Sequence, residues 1–290
     1  MPILHARAKI NLFLDVLDKR PDGYHNVSTV MQSVELADII NLSDGAGGVE
    51  VTYAGCAVCD FHDDLIVKAW KALIEATGRK ISFAADVAKV IPIAAGLGGG
   101  SADAAAALIG LNILADLNMS PAELSEIGAK IGADVPFFLT GGTALAEGAG
   151  EKITPVAAMP ECHIIIAKPP VDVSTGRAYQ AYDDYREETT SGRTAEVLAA
   201  LKAGEYERLC GVLHNSFEPV IIAAEPAVGE VKKAMLEAGA NAALMSGSGS
   251  SVFALTREAL AAETVAAAAN KAGAAVFTTK PCQSAVVVID

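Results

Sequence analysis

Residues 92–102 read Pro92-Ile93-Ala94-Ala95-Gly96-Leu97-Gly98-Gly99-Gly100-Ser101-Ala102, and an alanine-rich run follows to Leu114. Four glycines among positions 96–100 let the backbone take positive φ and come very close to a ligand. The run Ala102 to Leu114 is Ala, Leu and Ile for the most part and predicts a buried helix. A glycine loop feeding a helix N-terminus presents free backbone N–H groups and the positive end of the helix dipole. Such an end holds anions, most often phosphate. The chain is therefore expected to handle a nucleotide or another phosphorylated ligand. The common phosphate loops do not fit. No Lys follows the glycines as GxxxxGK[ST] requires. GxGxxG fails because Ser stands at 101. The HRD and DFG triplets of protein kinases are absent from the sequence.

Composition narrows the class. The chain has 290 residues, 52% hydrophobic and 20% charged, enough for two ordinary domains and a sizeable core. Only 5% is aromatic, so that core is built from Ala, Val, Leu and Ile. A formal net charge of −13 argues against nucleic acid or an anionic membrane as partner. It also means that positive potential must be focused locally on a phosphate ligand, with Arg7, Lys9 and the 96–102 loop as the candidates. The first residues show no secretory leader, and no apolar run reaches the ~18 residues of a membrane span. Five scattered cysteines argue against a disulfide framework. Cys56 and Cys59 form a lone CxxC, which falls short of a four-ligand zinc site. A cytoplasmic protein without a resident metal site is expected.

Along the chain, alternation predicts strands over 3–17, 27–40, 49–53 and 81–90. Arg20-Pro21-Asp22-Gly23 is a turn. A helix is predicted over 65–77, ended by Gly78. Ser120-Pro121-Ala122-Glu123 starts another that ends at Gly132. Beyond residue 155 the pattern predicts strands near 164–166, 241–255, 275–280 and 284–289, and helices near 175–185, 194–213, 226–238 and 258–272. The irregular alternation reads as α+β, with two domains, 1–155 and 156–290.

Three further segments carry chemistry. Lys9 and Asn11 share one face of an apolar strand, where a Lys is costly without an anion or carboxylate to meet. Tyr24 and His25 follow the turn, placed to hold a base. Asp134 lies in Gly132-Ala133-Asp134-Val135-Pro136-Phe137-Phe138, a carboxylate among apolar residues. It is suited to accept or orient a hydroxyl proton in phosphoryl transfer. Met245-Ser246-Gly247-Ser248-Gly249-Ser250-Ser251 is a hydrogen-bonding loop between two strands.

Pro92, Gly96, Leu97, Gly98 and Ser101 together resemble the phosphate loop of the GHMP small-molecule kinases, Pro-x-x-x-Gly-Leu-Gly followed by small residues and Ser. AKINLFLDVLDKRPDGYH, IGADVPFFLTGG, PPVDVSTGRAY and LMSGSGSSVFAL extend the likeness over nearly the whole chain. They point to the branch whose alcohol substrate is 4-diphosphocytidyl-2-C-methyl-D-erythritol. The resemblance implies a two-domain fold, ribosomal-protein-S5-like at the N-terminus and ferredoxin-like at the C-terminus. It implies phosphorylation of the substrate's 2-hydroxyl by ATP with Mg²⁺, in non-mevalonate isoprenoid precursor synthesis. By the same likeness Lys9 and Asp134 are the catalytic pair and residues 92–102 bind the ATP phosphates, with the Ser101 hydroxyl a candidate Mg²⁺ ligand. Asn11, Tyr24, His25, Thr175 and Tyr179 hold the cytidyl substrate, the two tyrosine rings stacking on the cytosine from opposite sides. Tyr24-His25 speak against another alcohol of the homoserine or mevalonate type. Lys9 with Asp134 speaks against a non-catalytic ligand sensor. The chain departs from the family pattern in two places: at Ala102 and Asp103, where many members have a second Ser and an Asn, and at Asp64, where many have Asn. Asp64 bears on adenine recognition, and Asp103 puts a negative charge near the phosphates.

Overall fold

A computed structural model describes residues 2–54, 62–185 and 191–289. The CxxC at Cys56 and Cys59 lies outside the described residues. The first half runs β1 (Ile3–Lys19), β2 (His25–Ser43), β3 (Val49–Ala54), α1 (Leu65–Thr77), β4 (Phe83–Ala88), α2 (Gly99–Leu114), α3 (Pro121–Ile131), α4 (Val135–Thr140), β5 (Thr143–Gly148) and β6 (Lys152–Pro155). The second half runs β7 (His163–Lys168), α5 (Thr175–Asp184), α6 (Thr194–Ala203), α7 (Tyr206–Val212), β8 (His214–Asn215), α8 (Glu218–Ala224), α9 (Pro226–Glu237), β9 (Ala242–Met245), β10 (Val252–Thr256), α10 (Ala259–Lys271), β11 (Ala275–Thr279) and β12 (Val286–Ile289).

Local signals account for several boundaries. The Asp64 carboxylate accepts from Ile66 N–H and Val67 N–H at the start of α1, and Gly78 closes it at φ 66°. Ser120 and Glu123 form the reciprocal capping box of α3, with Pro121 in its first turn. Helix α2 starts three residues before the expected Ala102, because Gly98 takes the cap at φ 72° and leaves Gly99 helical. The single helix expected over 194–213 is two, α6 and α7, broken by Gly204 at φ 66°. Helices α4 and α8 were not anticipated, although each carries a Pro in its first turn, a start signal.

The first sheet runs β12-β1-β2-β4-β3, with β5 on β2, β6 on β5 and β8 on β1. Helices α1 to α4 cover one face, packing Leu73, Ala105, Leu108 and Phe137 on Leu4, Ile40 and Phe83. The second sheet is antiparallel in the order β11-β7-β10-β9. Its elements β7, α9, β9, β10, α10 and β11 follow the βαββαβ order of a ferredoxin-like unit, against which Val228, Val231, Val265 and Ala269 pack. After Pro155 the chain passes from the first sheet to the second, and β8 and β12 return to β1. A third apolar cluster joins the two layers. It packs Ile10 and Leu12 of β1 with Ile91, Ala95 and Leu97 of the glycine loop and with Ile166 and Phe253 of the second sheet. The glycine loop is thereby held between both sheets, at the mouth of a cleft.

Candidate active site

The cleft has a volume of about 450 Å³. Residues 92–101 form one wall, with Lys9, Asn11, Thr29, Asp134, Ser174, Thr175, Tyr179, Phe217, Gly247 and Ser248 around it. Ala102 does not line it; that side chain is fully buried in the core beneath α2.

Helix α2 opens directly on the cleft. Its first intrahelical bond runs from Ala102 N–H to the Gly98 carbonyl at 2.9 Å, which leaves the N–H groups of Gly99, Gly100 and Ser101 at the helix end. No side chain caps that end. These N–H groups, with the Lys9 ammonium that also lines the cleft, supply positive potential for an anionic ligand, whereas Arg7 and Lys89 are engaged elsewhere. Arg7 donates to the Ser284 carbonyl at 3.1 Å and is not among the lining residues. Lys89 lines the cleft but donates to Asp38 at 2.5 Å and to Asp103 at 2.7 Å.

The loop is locked from below. Gly96, at φ 74°, has no room for a Cβ: such an atom would sit 2.0 Å from the Ser246 carbonyl oxygen. The Ser246 hydroxyl donates to the Gly96 carbonyl at 3.0 Å and Ser251 N–H to the Ala95 carbonyl at 3.2 Å. The serine-rich loop between β9 and β10 is thus the floor of the glycine loop. Asn215 in β8 pins that floor, donating to the carbonyls of Met245 at 2.7 Å and Gly247 at 2.8 Å. Nothing in the local pattern around Asn215 signals this, since its partners lie in another sheet. At Gly98 a Cβ would meet the Phe138 ring at 2.6 Å and Lys9 Cγ at 3.2 Å, so this glycine makes room for protein side chains.

Lys9 is buried, as is Asn11 beside it. Its ammonium donates to Asn11 Oδ1 at 2.6 Å and lies 3.7 Å from Asp134 Oδ2. Asn11 Nδ2 donates to Thr29 Oγ1 at 2.8 Å, which donates on to the Phe13 carbonyl at 2.7 Å. This relay uses Asn11 to aim Lys9. Asp134 stands at the N-cap position of α4 yet makes no capping bond, so its carboxylate is left to the cleft, 37% exposed. A carboxylate and an ammonium from distant segments therefore face the end of a phosphate-type helix.

The substrate-side residues divide. Thr175 starts α5 and its hydroxyl lies 3.3 Å from that of Ser248. Tyr179, one turn on, packs edge-on against Phe217 and lies nearly parallel to His25, with ring centroids 5.1 Å apart. Burial first, and then the Asp134 charge, push its phenol up to about 12, so Tyr179 stays neutral and serves as an apolar wall. His25 is buried and its Nε2 lies 2.8 Å from Asp183 Oδ1. Tyr24 is 67% exposed at the turn, and neither it nor His25 is among the residues lining the cleft. In this structure the neighbours of the Tyr179 ring are thus His25 and Phe217, and Tyr24 does not face it across a slot.

Both departures from the family pattern have structural employment. Asp64 caps α1 and accepts from Tyr53 Oη at 2.5 Å. Asp103 is buried beside Lys89 at the wall of the cleft, and its Oδ1 has no hydrogen-bond partner. Asp38 instead takes two backbone donors, Val90 N–H at 2.5 Å and Ile91 N–H at 2.9 Å, besides Lys89. Burial raises the Asp103 carboxyl to about 8, the Asp38 charge adding and Lys89 opposing, so Asp103 carries the proton of this group near neutrality.

Comparison with known proteins agrees with this geometry. Residues 64–142 match the GHMP kinases N terminal domain and residues 197–275 the GHMP kinases C terminal domain. A 4-diphosphocytidyl-2-C-methyl-D-erythritol kinase of Pelotomaculum thermopropionicum is 43% identical over 95% of this chain and 96% of its own length. One from Gloeobacter violaceus is 40% identical over 98% and 96%. The crystal structure of a 4-(cytidine 5'-diphospho)-2C-methyl-D-erythritol kinase superposes with a TM-score of 0.80 at 31% identity, covering 96% of this chain and 98% of that one. A homoserine kinase from Cytophaga hutchinsonii reaches the same TM-score at 22% identity and shares the fold.

Proposed function

Because this chain belongs to the GHMP kinases, and within them to the 4-diphosphocytidyl-2-C-methyl-D-erythritol kinases, we propose how its own residues divide the work. The reaction is transfer of the γ-phosphoryl group of ATP to the 2-hydroxyl of 4-diphosphocytidyl-2-C-methyl-D-erythritol, giving the 2-phosphate and ADP, in non-mevalonate isoprenoid precursor synthesis. The observation that carries the residue assignment is the buried Lys9 ammonium 3.7 Å from Asp134, facing the open end of α2 in one cleft.

In this reading the N–H groups of Gly99, Gly100 and Ser101 hold phosphate oxygens, with residues 92–98 shaping the loop. Asp134 accepts the hydrogen bond of the attacking hydroxyl and takes its proton as the oxygen bonds to the γ-phosphorus and the bond to the ADP oxygen breaks. Lys9, aimed by Asn11, steadies that carboxylate and offsets charge on the moving phosphoryl group. Thr175 and Tyr179, which line the cleft, take the cytidyl end, with His25 behind Tyr179. Residues 1–155 are the ATP-binding part and 156–290 the second domain, working in the cytoplasm.

Mg²⁺ fits the donor set. Such an ion would be held by one or two protein oxygens together with substrate phosphates. The Ser101 hydroxyl lines the cleft and would hold it together with the substrate phosphates. When bound, the ion neutralises phosphate charge.

The test uses purified protein, ATP and Mg²⁺ with 4-diphosphocytidyl-2-C-methyl-D-erythritol, homoserine and mevalonate, measuring ADP release. ADP release only with the cytidyl alcohol is expected. Equal turnover of homoserine or mevalonate, or none with any alcohol, overturns the assignment.

A further inference from the structure

Asp183 sits in the last turn of α5, beyond every segment the sequence marks as functional, and two side chains converge on it. His25 Nε2 lies 2.8 Å from its Oδ1, and Lys19 Nζ bonds its Oδ2. The hydrogen bond from Lys19, with lesser help from His25, holds the Asp183 carboxyl below the usual carboxylate range. An ionised carboxylate only accepts hydrogen bonds, so the proton between these groups belongs to His25 Nε2. In a neutral imidazole that leaves Nδ1 as a bare acceptor. Among the described residues Nδ1 has no hydrogen-bond partner, and the ring is held by Tyr179 on one face and Tyr182 at its edge.

We infer that Asp183 is a positioning residue that fixes the His25 tautomer, so that Nδ1 selects an amino-bearing pyrimidine. Cytosine offers an N–H donor at its exocyclic 4-position, where uracil offers a carbonyl oxygen. A bare Nδ1 pairs with the first and faces a like lone pair on the second. Lys19 contributes by holding Asp183 as an acceptor. The inference rests on the reading of the Tyr179 wall, against which His25 packs, as the cytidyl subsite.

Asp183→Asn tests it, because an amide either accepts from Nε2–H or donates to a bare Nε2 and so no longer fixes the proton. ¹⁵N-histidine NMR of the ligand-free protein at pH 8, assigned with His25→Gln, reads the tautomer. Steady-state kinetics with the substrate and its uridine diphosphate analogue read selection. The expected results are a single Nε2–H form in the wild type and a mixture in Asp183→Asn. The cytidyl-over-uridyl ratio of kcat/KM should then fall about ten-fold, the size of one polar pairing, with KM for ATP unchanged. An Nδ1–H form in the wild type overturns the tautomer assignment, and needs no variant to fold. An unchanged ratio with a mixed tautomer overturns the role in selection. If the wild type phosphorylates no cytidyl alcohol, the functional reading falls and base selection with it, while the NMR result separately decides whether Asp183 sets the ring.

Discussion

Replacing Gly96 by Ala isolates what the joint between the glycine loop and the β9–β10 loop contributes, if it is compared with Gly78→Ala. Both glycines have positive φ, 74° and 66°. At Gly78 a Cβ meets nothing within 4 Å, so the substitution there costs only the left-handed strain of an L-residue, about 1–2 kcal/mol. At Gly96 the Cβ would stand 2.0 Å from the Ser246 carbonyl oxygen, 3.0 Å from its carbon and 3.1 Å from Gly249 N, all backbone. Reaching ordinary van der Waals contact requires the two loops to part by roughly 1.4 Å. That breaks the bonds from Ser246 Oγ and Ser251 N–H, each worth about 1 kcal/mol. The total is about 3–4 kcal/mol, against about 1–2 for the control. Equilibrium urea unfolding followed by circular dichroism gives both values, and an ATP titration should show weakened binding for Gly96→Ala alone. Equal destabilisation of the two variants, with ATP affinity intact in both, would refute the interlocked-loop argument.

Asp134→Asn should lower kcat by about 10²–10⁴-fold with ATP affinity little changed; a variant keeping most of the wild-type kcat would remove the carboxylate from the mechanism. Asp64→Ala removes a cap that serves two backbone N–H groups of α1 and the Tyr53 hydroxyl, and should destabilise the protein by about 1–2 kcal/mol in urea unfolding. Asp103 is raised from 3.8 to about 8 in the folded chain. The folded state therefore binds its proton more tightly than the unfolded state, and the stability this confers is full below about pH 4 and lost as pH rises through about 8. Asp103→Asn should flatten that part of the stability–pH curve, read from urea midpoints at pH 5 and pH 8.5; identical slopes would place the proton elsewhere.

The helices with signals inside their own first and last turns are legible in the chain: Asp64 and Gly78 around α1, Ser120, Pro121 and Glu123 at α3. Capping and turn chemistry act within about four residues, so the sequence contains all the partners. Period-two alternation places Lys9 and Asn11 on one strand face, and the φ preference of glycine marks the loop before α2. Those two local facts, with Asp134 stranded among apolar residues, made most of the candidate site readable before any fold was known. Tertiary structure alone decided what these groups meet. Gly98 is required by Phe138 and Lys9, Gly96 by the Ser246 backbone, and Asp103 is held beside Lys89. Tyr24 is left outside the cleft while Asp183 comes to His25. Even the last strand belongs to the first sheet, where β12 lies against β1. Each of these pairings joins segments far apart in the chain, and their contact follows from sheet register and the packing of two layers, which no local propensity encodes.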